Sequence, residues 1–207
     1  MGELGFGHIR RNDAPALAAL HRESFPGFFL SRLGEPFLRE FYRGFVGDPT
    51  AVTAVLRDGS GVPVGAAVGT TEPAGFYRRL LRRRLPGLAL ASARAAVRDP
   101  RTITRLLRGI GYRGEVGDEP APRGALLASI CLHPSHQGDG SGARLVAAWE
   151  QEAARLGARQ GHLTTDADGN DRVNAFYARA GWMSFQDITT REGRRMNLYV
   201  KELPTCR

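Results

Sequence analysis

The spacing of hydrophobic and polar residues along the chain predicts a mixed α/β fold. Apolar residues recur three and four positions apart in some segments, and they alternate or form short runs in others. The helical segments are 14–23, 33–45, 141–156 and 171–180. The strand segments are 6–10, 51–57, 62–70, 124–132, 160–165, 182–190 and 194–202. This order predicts one mixed sheet with helices on both faces.

The segment 74–123 interrupts this order between the third and fourth predicted strands. Ala74–Arg113 carries helical signals that break at Pro86-Gly87 and Asp99-Pro100, and Gly114–Arg123 has the composition of a loop. We therefore expect the 207 residues to form a single domain, with residues 74–123 as a helical basic insertion within it.

The net charge of +8 is concentrated in this insertion. Residues 74–113 contain eleven arginines and one acid, so the rest of the chain is close to neutral. Four uses of that charge stay open: an arm that packs on the sheet or on a second subunit, a site for a phosphorylated or carrier-bound substrate, a peripheral membrane contact, and nucleic acid. Nucleic acid is the least favoured, because aromatic residues are few there and no nucleic-acid motif is present.

The composition indicates a globular protein, with 42% hydrophobic and 24% charged residues. No apolar run approaches the roughly 20 residues of a membrane span. Residues 1–11 also lack the apolar core of a signal peptide. Cys131 and Cys206 are too few for a disulfide framework. We expect a cytoplasmic protein, with a two-fold homodimer as the default assembly.

The glycine-rich run Gln137–Gly142 lies between an apolar segment and a helical one, and it predicts an anion site. A strand, a turn and a helix start expose backbone N–H groups at the positive end of the helix dipole. Glycines let a phosphate approach the backbone closely, and Asp139 and Ser141 suit turn and cap positions. The spacing is not the dinucleotide fingerprint, and a P-loop is excluded because the chain's only lysine is Lys201.

Two motifs resemble the GCN5-related N-acetyltransferase (GNAT) superfamily. The first is Q-x-x-G-x-G at 137–142. The second is the run Asn170–Trp182, in which Tyr177 follows Asn170 by seven residues and Gly181-Trp182 closes a short amphipathic helix. The resemblance is specific over residues 124–182 and gives no account of residues 74–123. It implies an acyl-CoA N-acyltransferase fold.

The resemblance also implies roles for individual residues. The turn would hold the pyrophosphate of acetyl-CoA, and the backbone of the preceding strand would line its pantetheine and acetyl groups. Tyr177 would donate a proton to the leaving thiolate. Asn170 would contact the coenzyme or cap the helix. The predicted coenzyme-binding set is Ile130, Cys131, Leu132, Gln137, Gly138, Asp139, Gly140, Ser141, Gly142, Ala143, Asn170 and Tyr177, with no metal.

The general base is not identified by the motifs, because the strand before the turn carries no carboxylate where many relatives have a Glu. The candidates are Glu23 and His21 in the first helix, His133 beside the turn, and Asp166 after the fifth strand. A water chain to bulk solvent is a further possibility. The apolar loop segment Phe25–Phe29 would wall the acceptor site through Phe25, Phe28 and Phe29.

The sequence therefore predicts an acetyl-CoA-dependent N-acetyltransferase. Direct transfer to a primary amine of a small molecule is favoured, and the expected acceptor is an amino sugar or a secondary-metabolite amine. No cysteine or serine lies in a nucleophile motif. The alternatives are a protein N-terminal or lysine acetyltransferase, and a catalytically silent acyl-CoA-binding regulatory module.

Overall fold

A computed structural model describes residues 4–26, 29–98, 115–116, 119–120, 122–190 and 193–205. The strands are β1 Gly5–Gly7, β2 Ala51–Arg57, β3 Pro63–Thr70, β4 Glu115–Val116, β5 Glu119–Pro120, β6 Ala125–Leu132, β7 Gln160–Asp166, β8 Met183–Thr189 and β9 Arg195–Glu202. The helices are α1 Ala14–Ser24, α2 Phe29–Arg32, α3 Glu35–Arg43, α4 Pro73–Arg98, α5 Ser141–Arg155 and α6 Asp171–Arg179. Short 3-10 turns occupy Arg11–Asp13 and Pro134–His136.

Seven strands form one mixed sheet in the order β1-β2-β3-β6-β7-β9-β8. All neighbouring pairs are antiparallel except β6 and β7, which run parallel. The predicted mixed α/β class and the order of the main elements are thereby confirmed. Among the described residues, no helix combines the length and the hydrophobicity that crossing a membrane requires.

Four local predictions were wrong. The first strand is shorter than predicted, and a separate turn of helix, α2, precedes α3. Pro86 does not end α4, which runs continuously to Arg98. Pro86 lies on the exposed face, where solvent can satisfy the freed carbonyl, while Leu80 and Leu88 bury the opposite face. Inside the predicted loop at 114–123, β4 and β5 pair as a short ladder.

The sheet has an apolar core on each face. On one face, α5 and α6 bury a cluster that includes Trp149, Tyr177 and Trp182. On the other face, α1, α3 and the start of α4 bury a cluster that includes Tyr42 and Phe76. Each helix contributes the apolar stripe that its sequence period predicts, so the two faces of the sheet are covered independently.

The first part of α4 is tied to the neighbouring helix region by ion pairs as well as apolar contacts. Arg79 donates to the buried carboxylate of Asp48 at 2.8 Å, and Arg84 lies 3.6 Å from Glu40 of α3. Part of the insertion's positive charge is therefore paired with carboxylates of the same protein. The predicted arginine positions 101, 105 and 108 lie outside the described residues.

Candidate active site

The parallel strands β6 and β7 pair only at their beginnings. Ala125 is opposite Gly161 and Leu126 is opposite His162, and no further pairs follow. The two strands therefore diverge toward their carboxyl ends, and residues 127–132 have no strand partner on that side. Alternate backbone N–H and C=O groups of β6 face this opening, which suits an extended ligand that pairs like a strand.

A bulge in β6 lies where the strands separate. Ser129 is opposite Val68 but Leu127 is opposite Gly69, so Ala128 is an extra residue in β6. Gly69 permits this geometry, because a Cβ there would lie 2.0 Å from the carbonyl oxygen of Leu126. The bulge turns the following residues of β6 relative to those before it.

The glycine-rich turn follows the open end of β6 and leads into α5. Gly138 and Gly140 have φ of 89° and 87°, a conformation that favours glycine, and Gly140 is the N-cap of α5. Within the described part of the chain, the backbone N–H groups of 138, 139, 140, 142 and 143 have no protein acceptor. They lie at the positive end of a 15-residue helix, so the turn can bind an anion.

Two side chains hold the turn in shape. Asp139 Oδ1 accepts the backbone N–H of Ser141 at 2.8 Å, and this hydrogen bond lowers the pKa of that carboxyl. Gln137 Nε2 donates to the carbonyl of Leu132 at 3.3 Å. Asp139 therefore occupies a turn position before the N-cap Gly140, and its carboxylate is engaged within the turn. Neither Asp139 nor Ser141 is the N-cap, and no described side chain caps the start of α5. Ser141 is buried at the first helical position.

The side chains at the end of β6 alternate between the two faces of the sheet. Ile130 and Leu132 are half-buried and pack on the core beneath α5. Cys131 points the other way into the core beneath α1 and α3, where burial raises the pKa of its thiol to about 11. The Cys131 side chain is therefore an inert thiol, and only its backbone faces the opening between the strands.

Tyr177 is buried within the aromatic cluster beneath α5. Its ring lies 6.1 Å from that of Trp182 and 6.0 Å from that of Tyr199, measured between centroids. Burial raises the pKa of the phenol well above its ordinary value, so the hydroxyl stays protonated at neutral pH. The side chain can donate a proton only to a group that is itself desolvated in the same site.

The start of α6 is joined to the end of β7 by two asparagines. Asn170 occupies the N-cap position without capping the helix, and its Nδ2 donates to the carbonyl of Asp166 at 3.3 Å. Asn174 donates to the same carbonyl at 3.0 Å and accepts from Thr165 Oγ1 at 2.6 Å. The sequence reasoning missed Asn174, although its place one helical turn after Asn170 could have indicated it.

The candidate bases lie in different surroundings. Glu23 is exposed and lies two positions from the buried His21 on α1, so it faces away from the sheet. His133 is exposed, and its Nδ1 is hydrogen-bonded to Ser135 Oγ at 2.7 Å. Asp166 forms a two-pronged ion pair with Arg194, so both of its carboxylate oxygens are engaged by the protein.

His21 lies in a buried polar cluster that the sequence reasoning did not assemble. Its Nδ1 is 2.9 Å from Tyr42 Oη and 3.5 Å from Ser129 Oγ. Phe25 packs edge-on against the His21 ring, with centroids 5.0 Å apart. Phe28 lies outside the described residues, and only the backbone of Phe29 is described. The structure thus brings Phe25, His21 and β6 together on one face.

A separate hollow of about 950 Å³ lies at the other end of the sheet. Arg123, Arg159 and Glu202 line it together with the loop that ends α5, and none of the predicted site residues does. The opening between β6 and β7 and the turn that follows it form the candidate site instead. In the described part of the chain, no cluster of three or more His, Cys, Asp or Glu side chains could hold a metal ion.

Comparisons with known proteins agree with the fold described above. The model of the acetyltransferase (GNAT) family matches residues 14–182. A crystal structure of an acetyltransferase aligns with a TM-score of 0.61 at 20% identity, over 97% of this chain and 100% of that chain. The two chains therefore share a fold. No curated protein matches the sequence.

Two further structures have the same fold. The putative acetyltransferase yncA from Salmonella typhimurium, determined with its cofactor acetyl-CoA, aligns with a TM-score of 0.58 at 13% identity, over 100% of this chain and 97% of that chain. A spermidine N-acetyltransferase SpeG chimera from Vibrio cholerae and hSSAT aligns with a TM-score of 0.58 at 12% identity, over 97% and 96%.

Proposed function

Because this chain belongs to the acetyltransferase (GNAT) family, whose acyl donor is acetyl-CoA, we propose that it transfers acetyl directly to a primary amine of a small molecule. The observation that carries the proposal is the divergence of β6 and β7 beside a turn with free backbone N–H groups. A cleft for an extended thioester and a site for its diphosphate lie side by side in this arrangement.

The residues present fit acetyl-CoA at both ends of that cleft. The backbone N–H groups of the turn, residues 138–143, would hold the diphosphate, since Gly138 and Gly140 place no side chain over them. The free edge of β6, including the backbone of Ile130, Cys131 and Leu132, would pair with the pantetheine amides. Acetyl-CoA supplies the activated acyl group.

Tyr177 is the proposed proton donor to the leaving thiolate. Its raised pKa keeps the proton on the phenol until the thiolate forms. A thiolate released in the same desolvated site is also more basic than in water, so the two groups remain matched. Asn170 and Asn174 fix the start of α6, and thereby the position of Tyr177, against the end of β7.

The acceptor amine would approach from the face of the sheet that α1 and α3 cover, opposite to α5. Phe25 lies on that face beside His21 and contributes an apolar wall. Arg78 and Arg82 of α4 are exposed and form no ion pair with the described residues. Their neighbour Arg79 reaches Asp48 and Thr50 before the start of β2, so these arginines are not assigned to the acceptor face. An amino sugar, free or linked to a nucleotide, presents the primary amine that the proposal requires.

The test is an amine panel with acetyl-CoA, in which release of the free thiol is followed over time. The panel contains free and nucleotide-linked amino sugars, a simple alkylamine, and peptides with a free N-terminus or a lysine. Thiol release that depends on a small amine supports the proposal, whereas release only with peptides favours protein acetylation. Binding of acetyl-CoA without turnover by any amine would make the chain a silent acyl-CoA-binding module.

A further inference from the structure

Four polar side chains from three separate elements meet beneath the open end of β6. His21 of α1 lies at the centre, with Tyr42 Oη of α3 at 2.9 Å and Ser129 Oγ of β6 at 3.5 Å from its Nδ1. Tyr42 Oη also lies 3.6 Å from Cys131 Sγ. These contacts join residues separated by 21, 89 and 108 positions in the chain, so the cluster is a product of the fold.

Three members of the cluster are closed off from solvent and one is not. His21 and Cys131 are each 3% exposed and Tyr42 is fully buried. Ser129 is only half-buried, and it follows the bulge at the point where β6 leaves β7. Ser129 therefore connects a buried imidazole to the cleft in which the thioester would lie.

The protonation states follow from burial. Burial raises the pKa of both Tyr42 and Cys131, so these groups keep their protons at neutral pH. Burial lowers the pKa of His21 to about 4, so the imidazole is neutral. With Tyr42 as the donor, Nδ1 of His21 is the acceptor nitrogen, and the same lone pair faces the Ser129 hydroxyl.

We propose that Ser129 and His21 form the proton-accepting path for the acceptor amine. This inference rests on the proposed function and assigns the general base that the motifs leave open. Ser129 would contact the amine directly, and His21 would act through Ser129. Tyr42 positions the imidazole, and Phe25 covers its outer edge.

The step balances in atoms and protons. The amine nitrogen forms a bond to the thioester carbonyl carbon and thereby becomes strongly acidic. Its proton passes to Ser129 Oγ while the Ser129 proton passes to Nδ1 of His21, and Tyr42 turns its own proton toward Cys131 Sγ. The C–S bond then breaks, and the released thiolate takes a proton from Tyr177. Solvent removes the proton from His21 and restores it to Tyr177.

The test compares single and double variants at saturating acetyl-CoA. Ser129→Ala removes the hydroxyl, Ser129→Thr keeps it, and His21→Asn keeps an acceptor for Tyr42 but cannot take a proton. We expect Ser129→Ala and His21→Asn each to lower kcat/KM for the amine by about 100-fold or more, the usual share of general base catalysis. Ser129→Thr should retain most of the activity, and the affinity for acetyl-CoA should not change.

The double variant separates catalysis from stability. Because both residues serve one path, Ser129→Ala with His21→Asn should be about as slow as either single variant. Ser60→Ala, a hydrogen-bonded serine in the remote β2–β3 turn, is the control for removal of a hydroxyl.

The outcomes that overturn the inference differ from those that overturn the function. Wild-type turnover with unaffected Ser129→Ala and His21→Asn variants overturns the proton path alone, as does loss of rate that simply adds in the double variant. A wild-type protein that binds acetyl-CoA but acetylates no amine overturns the proposed function and this inference together. Melting temperatures of all variants show whether any loss of activity is a loss of folding.

Discussion

Lowering the pH from 7.5 to 5 should destabilise this protein through His162, and a leucine at that position should remove much of the effect. His162 lies on β7 at the last pair with β6, and it is fully buried. Neither ring nitrogen has a hydrogen-bond partner in the described structure. Its neighbours across the strands are Leu126 and Val200, which offer no partner to an imidazolium.

The magnitude follows from proton linkage. Burial lowers the pKa of His162 from 6.5 to about 4, so between these values the unfolded chain binds a proton that the folded chain does not. The stabilising contribution is thus present above pH 6.5 and is lost as the pH falls toward 4. At pH 5 the loss is about 2 kcal/mol. His21 has a similarly lowered pKa and adds a comparable loss.

Denaturant unfolding of wild type and His162→Leu at pH 7.5 and pH 5 measures the effect. Between pH 7.5 and pH 5, the free energy of unfolding of wild type should fall by about 4 kcal/mol because of the two histidines. That of His162→Leu should fall by only about 2 kcal/mol, because His21 alone remains. At pH 7.5 the variant should be at least as stable as wild type, because leucine removes an unpartnered polar group. The Asp13 carboxyl, whose pKa is lowered, acts only below about pH 4 and does not interfere. Equal losses in both proteins would refute the reasoning.

Three further predictions concern the site and its frame. Tyr177→Phe should lower turnover more than it lowers the affinity for acetyl-CoA, whereas the neighbouring Tyr199→Phe should change neither. Steady-state kinetics measures the turnover and calorimetry measures the affinity. Unchanged turnover in Tyr177→Phe would show that Tyr177 is a packing residue. Gly69→Ala should destabilise the fold by about 2 kcal/mol or more, because the new methyl group meets a carbonyl oxygen; an unchanged melting temperature would contradict the bulge geometry. Lys201→Met should destabilise more than Glu150→Gln in urea unfolding, since it leaves a buried carboxylate that Lys201 holds at 2.7 Å; the reverse order would contradict the ion pair.

The sequence predicted the part of the site that depends on local rules. The positive φ of Gly138 and Gly140, and the short helix followed by Gly181 in the same conformation, follow from φ preferences and helical period. The family match confirms the resemblance drawn from the two motifs. The divergence of β6 and β7 was not predicted, because no residue pattern specifies where two parallel strands stop pairing.

The remaining features depend on contacts between distant segments. The pairing of Asp166 with Arg194 spans 28 positions, and that of His21 with Ser129 spans 108. Neither is visible in spacing or composition. The continuity of α4 through Pro86 likewise depends on the burial of Leu80 and Leu88, which compensates for the lost hydrogen bond. In all three features, contacts between distant segments determine the structure, and the local sequence pattern either does not indicate the result or predicts a different one.

The central claim, that the turn beside the divergent strands binds acetyl-CoA, is tested most directly by calorimetric titration of wild type and Gly140→Glu. Gly157→Glu is the matched control, because Gly157 follows the other end of α5 with the same φ of 87° and no atom within 4 Å of its added Cβ. Both variants carry similar backbone strain, about 1–2 kcal/mol. We predict one acetyl-CoA site in wild type and Gly157→Glu, and none in Gly140→Glu. Equal binding by all three proteins, or no binding of any coenzyme A species by wild type, would contradict the account.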